Sequence, residues 1–218
     1  MSLGKSEKRV GAYVLAGGGS TRFGRDKALA ELGGKPMLAR MAGLVDYAVS
    51  GKELACKAVV IGAAEKYDTV WAVCVEDRWP GEGPLGGVVT ALRHTQQQDT
   101  VCEWNLIVSC DMPFLTAGWM RFLSERALKS DAQVVVPHSA HGPEPLCACW
   151  RTDAVEVLQD AFERGVRKVT QGIALLRTEV LDERDWKRFD SAGRLFWNIN
   201  TAADYEEARR IVGQTEEK

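Results

Sequence analysis

The 218-residue sequence predicts one α/β domain built on a mostly parallel, doubly wound sheet with helices on both faces. Short apolar segments alternate along the chain with amphipathic ones. The strand candidates are apolar at nearly every position, as strands covered on both faces are. Because no repeat or linker divides the chain, we expect a single domain over residues 1–218, with a core over about 10–210 and flexible termini.

Six segments are predicted as strands: Ala12–Leu15, Ala58–Ile61, Trp71–Val75, Leu106–Ser109, Gln133–Val136 and Leu146–Trp150. In the first predicted helix Leu38, Met41, Leu44, Val45 and Ala48 recur at three- and four-residue spacing, and Pro36 suits its opening turn. Four further helices are predicted: Pro84–Gln96, Thr116–Leu128, Thr152–Phe162 and Ala202–Val212.

Composition argues against several classes of protein. The 28 basic and 30 acidic residues give a net charge of −2, which provides no field for nucleic acid or an anionic membrane. No apolar run is long enough for a membrane span, and residues 1–9 lack the apolar segment of a secretory signal. The six cysteines form no C-x-x-C pair, so we expect free thiols in a reducing cytoplasm.

Two histidines, His138 and His141, stand close to Glu144 and suggest a metal site. Loop histidines of this kind are more often solvated, and that interpretation is favoured here.

A glycine-rich loop directly follows the first predicted strand. From Leu15 to Lys27 it reads Leu-Ala-Gly-Gly-Gly-Ser-Thr-Arg-Phe-Gly-Arg-Asp-Lys. Glycines let backbone amides approach a ligand closely, and successive amides form a nest that attracts anions. Arg22 and Lys27 add two positive charges, so the loop is predicted to hold a polyphosphate. A flexible turn is the alternative, but it would not need an apolar strand before it.

Spacing excludes two familiar phosphate loops. The P-loop ends in Gly-Lys-Ser/Thr, which this loop lacks. The dinucleotide fingerprint needs a third glycine where Arg22 stands.

A single carboxylate, Asp111, ends the apolar segment Leu106–Cys110. A carboxylate at the mouth of a buried strand suits Mg²⁺, which takes few protein ligands and completes its shell with water and phosphate. Alternatively, Asp111 is a cap at the start of the next helix, and the residues alone favour neither interpretation.

A second acidic strand end is followed by small residues. Asp77 closes the segment Val73–Glu76, and Gly83-Pro84-Leu85-Gly86-Gly87 follows. Small residues permit close contact with a flat base or ribose. Taken alone, a glycine-rich turn before a helix is the better interpretation of this segment.

These motifs resemble those of the glycosyltransferase-A-like nucleotidyltransferases, whose loop pattern continues to a Gly-Lys-Pro that stands here as Gly34-Lys35-Pro36. Within that group, Leu15-Ala16-Gly17-Gly18, and Asp77 followed by Gly83-Pro84-Leu85, resemble the molybdenum cofactor guanylyltransferases. The resemblance covers about Val10 to Arg210.

The resemblance implies a nucleotide-diphospho-sugar transferase-like fold. It also implies transfer of GMP from GTP to the terminal phosphate of molybdenum-loaded molybdopterin, with release of pyrophosphate and with Mg²⁺ as cofactor. The implied catalytic residues are Arg22, Lys27 and Asp111, of which Asp111 binds the metal. The implied nucleotide-binding residues are Leu15, Ala16, Gly17, Gly18, Lys27, Asp77, Gly83 and Asp111.

Three downstream segments also resemble family motifs: Glu144-Pro145-Leu146, Gly165-Val166-Arg167-Lys168-Val169 and Trp197-Asn198-Ile199-Asn200-Thr201. They imply molybdopterin contacts from Pro145, Arg167, Asn198 and Asn200. Alternatively, Arg167 lies on an exposed helix face and the asparagines cap the helix that contains Tyr205. Three positions depart from the pattern: Gly62 stands where several members have a nucleotide-contacting Asn, Glu144 replaces Gln or His, and Ala202 replaces Pro after Asn-Thr.

Two other functions remain open at this point. One is a nucleotidyltransferase of the same fold that uses CTP or a sugar phosphate, and the other is a nucleotide-binding protein without catalysis. From size alone we expect a monomer that makes transient contacts with proteins that deliver the cofactor.

Overall fold

The structure, a computed structural model, describes residues 9–17, 26–50, 57–71, 73–99 and 102–216. Within these ranges it contains ten strands: β1 Val10–Ala16, β2 Glu31–Leu32, β3 Lys35–Pro36, β4 Val59–Gly62, β5 Cys74–Glu76, β6 Trp104–Ser109, β7 Val134–Ser139, β8 Gly142–Pro143, β9 Cys147–Arg151 and β10 Thr178–Leu181.

The same ranges contain eight α-helices: α1 Met37–Val49, α2 Ala64–Tyr67, α3 Pro84–Gln96, α4 Ala117–Ala127, α5 Val155–Glu163, α6 Val169–Ile173, α7 Glu183–Trp186 and α8 Ala202–Glu216. Three short 3-10 turns accompany them: Lys27–Leu29, Thr152–Ala154 and Lys187–Phe189.

The main sheet runs in the order β10-β7-β9-β6-β1-β4-β5, and β8 pairs with β7 beside this path. Four of the neighbouring pairs along the path are parallel, and β9 alone is antiparallel to both of its neighbours. The predicted mostly parallel, doubly wound sheet is therefore confirmed.

Alternation of side chains along β1 explains why helices cover both faces of the sheet. Val10, Ala12 and Val14 point into a core shared with α1 and α4. Tyr13 and Leu15 point into a second core shared with α3 and α5. Successive strand residues face opposite sides, so a strand that is apolar throughout must be buried on both.

The strand order changes direction beside β1. The chain passes from β1 to β4 and β5 on one side, and β6 then pairs on the other side, with Leu15 opposite Ser109. Ligands of open α/β sheets bind beyond the carboxyl ends of strands at such a switch point. The glycine-rich loop follows β1 and Asp111 follows β6, so both lie at this switch point.

A third, smaller core braces the chain just after the loop. Ala30, Leu32 and Met37 pack against Ile199 and against one face of α8. This packing brings the Asn198–Asn200 segment beside Lys27 at the end of the glycine-rich loop, although the two are far apart in sequence.

Several element boundaries differ from the sequence prediction. The predicted strand Trp71–Val75 is the short β5, the predicted helix Thr152–Phe162 begins as a 3-10 turn, and α8 continues past Val212. The prediction missed β10, which begins with two polar residues and whose Val180 is 54% exposed at the sheet edge.

In the part of the chain that is described, no helix combines the length and apolar character that a bilayer span requires. The five cysteines that fall within the described ranges are all free thiols.

Candidate functional site

An ion pair between Lys27 and Asp111 marks the switch point of the sheet. The Nζ of Lys27 lies 3.0 Å from Oδ2 of Asp111 and donates a second hydrogen bond, also 3.0 Å long, to the carbonyl oxygen of Ile199. Both side chains are just over four-fifths buried, at 19% and 18% exposure. The pair therefore joins the end of the glycine-rich loop, the end of β6 and the Asn198–Asn200 segment.

Asp111 is held by its neighbours from two directions. The hydroxyl of Ser109 donates to its Oδ1 at 2.7 Å, and the amide of Ile199 donates to its backbone carbonyl at 2.9 Å. The helix after it is capped by another residue, since Thr116 accepts a hydrogen bond from the amide of Trp119. Asp111 is thus not the cap of α4, and its carboxylate is directed to the loop and to Lys27.

A cavity of about 340 Å³ opens on one side of this ion pair. Its walls combine apolar residues, glycines and two carboxylates: Leu15, Gly17, Lys27, Ile61, Asp77, Gly81, Gly83, Pro84, Gly87, Ser109, Asp111 and Leu146. An apolar slot with a few polar groups suits a nucleobase and ribose.

Asp77 and Gly83 both line this cavity. Asp77 is fixed through Oδ1, which accepts from the amide of Trp79 and from the hydroxyl of Thr90. Gly83 precedes α3 with φ of +108°, and a Cβ there would lie 3.2 Å from the carbonyl oxygen of Arg167. Glycine is thus required by both conformation and space, and the chain turns closely around the cavity mouth.

A second cavity, of about 270 Å³, is also lined by both residues of the ion pair. It shares Gly17, Lys27, Ser109 and Asp111 with the first cavity. Its further lining comes from Asp26, Ala28, Lys66, Tyr67 and Cys110.

A third cavity, of about 790 Å³, lies beside the Asn198–Asn200 segment. Asn198 and Asn200 both line it, together with Glu144 from the β8–β9 connection and the aromatic side chains of Trp186 and Trp197. The Ile199 that binds Lys27 stands between the two asparagines. This third cavity is therefore lined by the two residues that flank Ile199, whose carbonyl oxygen binds Lys27.

The asparagines do not serve as side-chain caps of α8. Asp204 accepts from the backbone amides of Asn200 and Thr201, and its own amide donates to the hydroxyl of Thr201. The side chain of Asn198 donates to the carbonyl of Phe196 at 3.2 Å. Among the alternatives for these residues, the cap interpretation is therefore excluded.

Not every predicted site residue joins these cavities. Ala16 is buried on the opposite face of the sheet, so its side chain turns away from the nucleoside-sized cavity. Pro145 lies between Glu144 and Leu146, which line different cavities. Gly18 and Arg22 lie outside the described residues.

Arg167 does not line the cavity of Asn198 and Asn200, although the resemblance implies that all three contact molybdopterin. Its guanidinium pairs with Glu82 at 2.9 Å and lies 4.0 Å from the ring centroid of Phe162. Its carbonyl oxygen lies close to Gly83, so Arg167 is next to the wall of the first cavity but does not line it.

Glu144 is a half-buried carboxyl in the wall of the third cavity. The hydroxyl of Ser139 donates to its Oε1 at 2.6 Å, and its amide donates to the carbonyl of Pro137. Burial raises the pKa of Glu144, against the opposing effect of the Ser139 hydrogen bond. Its environment thus favours the neutral acid more than solvent does.

The residues at the ion pair fit a magnesium ion. Across the described ranges, no three His, Cys, Asp or Glu side chains form a metal-binding group. Mg²⁺ is commonly held by one or two carboxylates with substrate phosphates and water. Asp111, oriented by Ser109 and facing two cavities, supplies such a carboxylate.

Comparison with known proteins agrees with this geometry. Residues 12–179 match the family model described as the MobA-like NTP transferase domain. The chain belongs to this family. The resemblance seen in the sequence motifs is therefore confirmed.

Curated relatives of the chain carry a consistent name. A probable molybdenum cofactor guanylyltransferase of Haloferax mediterranei is 32% identical over 88% of this chain and 89% of its own length. A protein of the same name from Pelotomaculum thermopropionicum is 29% identical over 90% of both chains. A molybdenum cofactor guanylyltransferase of Syntrophotalea carbinolica is 27% identical over 91% and 90%.

Solved structures share the fold. Molybdopterin-guanine dinucleotide biosynthesis protein A of Archaeoglobus fulgidus superposes with a TM-score of 0.79 at 25% identity, covering 94% of this chain and 99% of its own. A CMP:2-keto-3-deoxy-manno-octonic acid synthetase superposes with a TM-score of 0.68 at 14% identity, covering 95% and 99%, and shows likeness of fold alone. The predicted nucleotide-diphospho-sugar transferase-like fold is confirmed.

Sequence reasoning missed several groups around the ion pair. The carbonyl of Ile199 and the hydroxyl of Tyr67 carry no motif of their own, and Ser109 was noted only as part of a strand. Asp26 was inside the quoted loop, and its position directly before Lys27 was the one available signal.

Proposed function

We propose that this protein transfers GMP from GTP to the terminal phosphate of molybdenum-loaded molybdopterin and releases pyrophosphate. The observation that carries the proposal is the Lys27–Asp111 pair at the meeting point of the cavities. One side offers a slot of nucleoside size, and the neighbouring Asn198–Asn200 segment opens on a larger cavity for a second substrate. The names of the relatives supply the identity of the two substrates.

In the proposed complex, the base and ribose of GTP occupy the cavity lined by Leu15, Asp77 and Gly83. The α-phosphate then lies near the Lys27–Asp111 pair, and the β- and γ-phosphates extend toward Gly17 and the loop that follows it. Molybdopterin occupies the cavity beside Asn198 and Asn200. Glu144 lines this cavity as well.

The reaction forms one P–O bond and breaks another. A terminal phosphate oxygen of molybdopterin attacks the α-phosphorus of GTP, and the bond to the β-phosphate oxygen breaks as pyrophosphate leaves. A phosphate monoester has a second pKa of about 6, so the nucleophile is ionised at neutral pH and needs no general base. The protein therefore acts mainly by positioning its substrates and neutralising charge.

Lys27 has two positions in this scheme. Before substrate binds, its ammonium is held by Asp111 and the Ile199 carbonyl. With GTP bound, it turns to the leaving phosphates, joined by Arg22 from the glycine-rich loop. Asp111, held by Ser109, would bind Mg²⁺, which when bound neutralises phosphate charge.

The reducing, cytoplasmic setting expected from the sequence is also part of the proposal. GTP and molybdopterin are the proposed small-molecule partners, and transient contacts with cofactor-delivery proteins remain part of the proposal.

The proposal is tested by measuring pyrophosphate release with Mg²⁺ and molybdenum-loaded molybdopterin while GTP, CTP, ATP and UTP are supplied in turn. We expect release with GTP alone. Release with CTP alone would move the protein to cytidylyl transfer. Release with none of the four would overturn nucleotidyl transfer to molybdopterin.

A further inference from the structure

A cluster of three side chains holds the residue that precedes Lys27. The hydroxyl of Tyr67 donates to Oδ2 of Asp26 at 2.8 Å, and Lys66 forms an ion pair with the same carboxylate. We call Asp26, Lys66 and Tyr67 the Asp26 clamp. None of the three has a place in the reaction described above.

The other oxygen of Asp26 fixes the backbone that carries Lys27. Its Oδ1 accepts the amide of Ala28 at 2.9 Å and thereby caps the 3-10 turn Lys27–Leu29. Burial acts to raise the pKa of Asp26, but hydrogen bonds from Lys66, Tyr67 and the Ala28 amide together hold it below the ordinary value. Asp26 is thus anionic at neutral pH and accepts from all three groups.

Tyr67 connects this turn to the sheet. It is 5% exposed on the one-turn helix α2, and its ring lies against Gly62 at the end of β4. Its hydroxyl is buried and has Asp26 as acceptor, which together raise its pKa and keep it a donor. Lys66 is 49% exposed, so its ion pair is screened by solvent and contributes less than the tyrosine.

Lysine has a long side chain with many rotamers, so the direction of its ammonium depends on a fixed backbone. We propose that Tyr67, acting through Asp26, is a positioning residue that aims Lys27 at the leaving phosphates of the nucleotide. This inference rests on the proposed function, which gives Lys27 that role.

The test compares GTP and GMP binding by calorimetry in the wild type and in Tyr67→Phe, which removes one hydroxyl and keeps the ring. GMP lacks the phosphates that Lys27 is proposed to reach. We expect Kd for GTP to rise about tenfold, the scale of a hydrogen bond to a charged group, with Kd for GMP unchanged. Asp26→Asn, which keeps an oxygen for the turn, is expected to show the same selective loss.

Tyr13→Phe is the matched control. It also removes a buried tyrosine hydroxyl, one that lies 2.6 Å from the hydroxyl of Thr95 in the core behind the sheet. We expect it to lower the melting temperature and leave both nucleotide affinities unchanged. Equal losses for GTP and GMP in Tyr67→Phe would indicate a merely structural role and overturn the inference.

A double-mutant cycle with Lys27→Ala separates the two levels of the account. If Tyr67 acts through Lys27, Tyr67→Phe adds no further loss of GTP affinity once Lys27 is gone. Additive losses would overturn the clamp alone. A Lys27→Ala protein that kept its preference for GTP over GMP would remove the proposed role of Lys27 and this inference with it. A wild type that bound GTP but transferred no GMP would contradict the proposed reaction and leave the clamp standing.

Discussion

At the scale of single residues, the proposed role of Asp111 depends on how its neighbours hold its carboxylate. Its carboxylate accepts from Ser109 and Lys27, and the helix that follows is capped by Thr116. Asp111→Asn keeps the shape of the side chain but removes the charge that a metal needs. We expect turnover to fall by about 10²-fold or more, the scale seen when one transition-state stabiliser is removed.

Steady-state kinetics and thermal melting check this prediction together. Asp153→Asn is the matched control, because Asp153 pairs with Arg151 on the surface and lines none of the three cavities of the candidate site. Normal turnover of Asp111→Asn at saturating Mg²⁺ would remove Asp111 from the mechanism.

Gly62 is a second position where the structure restricts the side chain, because there is no space for a Cβ. A Cβ there would collide with the carbonyl oxygen of Ala16 and lie 2.9 Å from the ring of Tyr67. Gly62→Asn introduces the residue that several members of the resembling family have at this position. It is expected to lower the free energy of unfolding by about 1–3 kcal/mol through overpacking.

Urea denaturation measures this effect. Gly43→Ala in α1 is the control, since its Cβ meets nothing within 4 Å and alanine favours a helix. It is expected to be neutral or stabilising. If Gly62→Asn were as stable as the wild type and bound GTP more tightly, crowding at Gly62 would not be the reason for the missing contact.

At the scale of elements, the cap of α4 and the carboxylate of the candidate site are two different residues. Thr116 accepts from the amide of Trp119 and leaves Asp111 free for the site. Thr116→Ala is expected to lower the free energy of unfolding by about 1 kcal/mol, a usual cost for losing such a cap. Turnover is expected to stay near the wild-type value, the reverse of the pattern for Asp111→Asn. A large loss of turnover without loss of stability would place Thr116 in the site.

The elements also show what sequence reasoning can reach. The helix Pro84–Gln96 was predicted with its observed bounds, because Pro84 stands at its first turn and apolar residues recur along it. The edge strand β10 was missed, because Thr178-Glu179-Val180-Leu181 is half exposed and has no continuous apolar run. Lys27 and Asp111 could be predicted because they belong to recognisable sequence motifs. The contact between Asp26 and Tyr67 joins residues 41 positions apart with no shared pattern.

At the scale of the whole molecule, the half-buried His94 links stability to pH. The Nδ1 of His94 lies 3.0 Å from the hydroxyl of Tyr13, and burial lowers the pKa of His94 below its ordinary value of 6.5. The unfolded chain therefore binds more protons than the folded protein below that pH. The stability that this difference contributes is present above pH 6.5 and is lost as pH falls.

Urea midpoints measured from pH 7.5 down to pH 5 test this linkage. We expect the wild type to lose stability on acidification more steeply than His94→Gln, with His141→Gln, an exposed loop variant, serving as the comparison. Parallel curves for the wild type and His94→Gln would show that His94 does not contribute to the pH dependence.

The sheet, the loop and the Asn198–Asn200 segment converge on one reaction centre, and the most direct measurement follows the phosphorus atoms themselves. GTP labelled with ³²P at the α- or the γ-position is incubated with molybdenum-loaded molybdopterin, Mg²⁺ and the wild-type protein. The account predicts that the α-label appears in a molybdopterin dinucleotide and the γ-label in pyrophosphate. Recovery of the α-label as free GMP, or transfer of the γ-label to molybdopterin, would contradict guanylyl transfer at the Lys27–Asp111 centre.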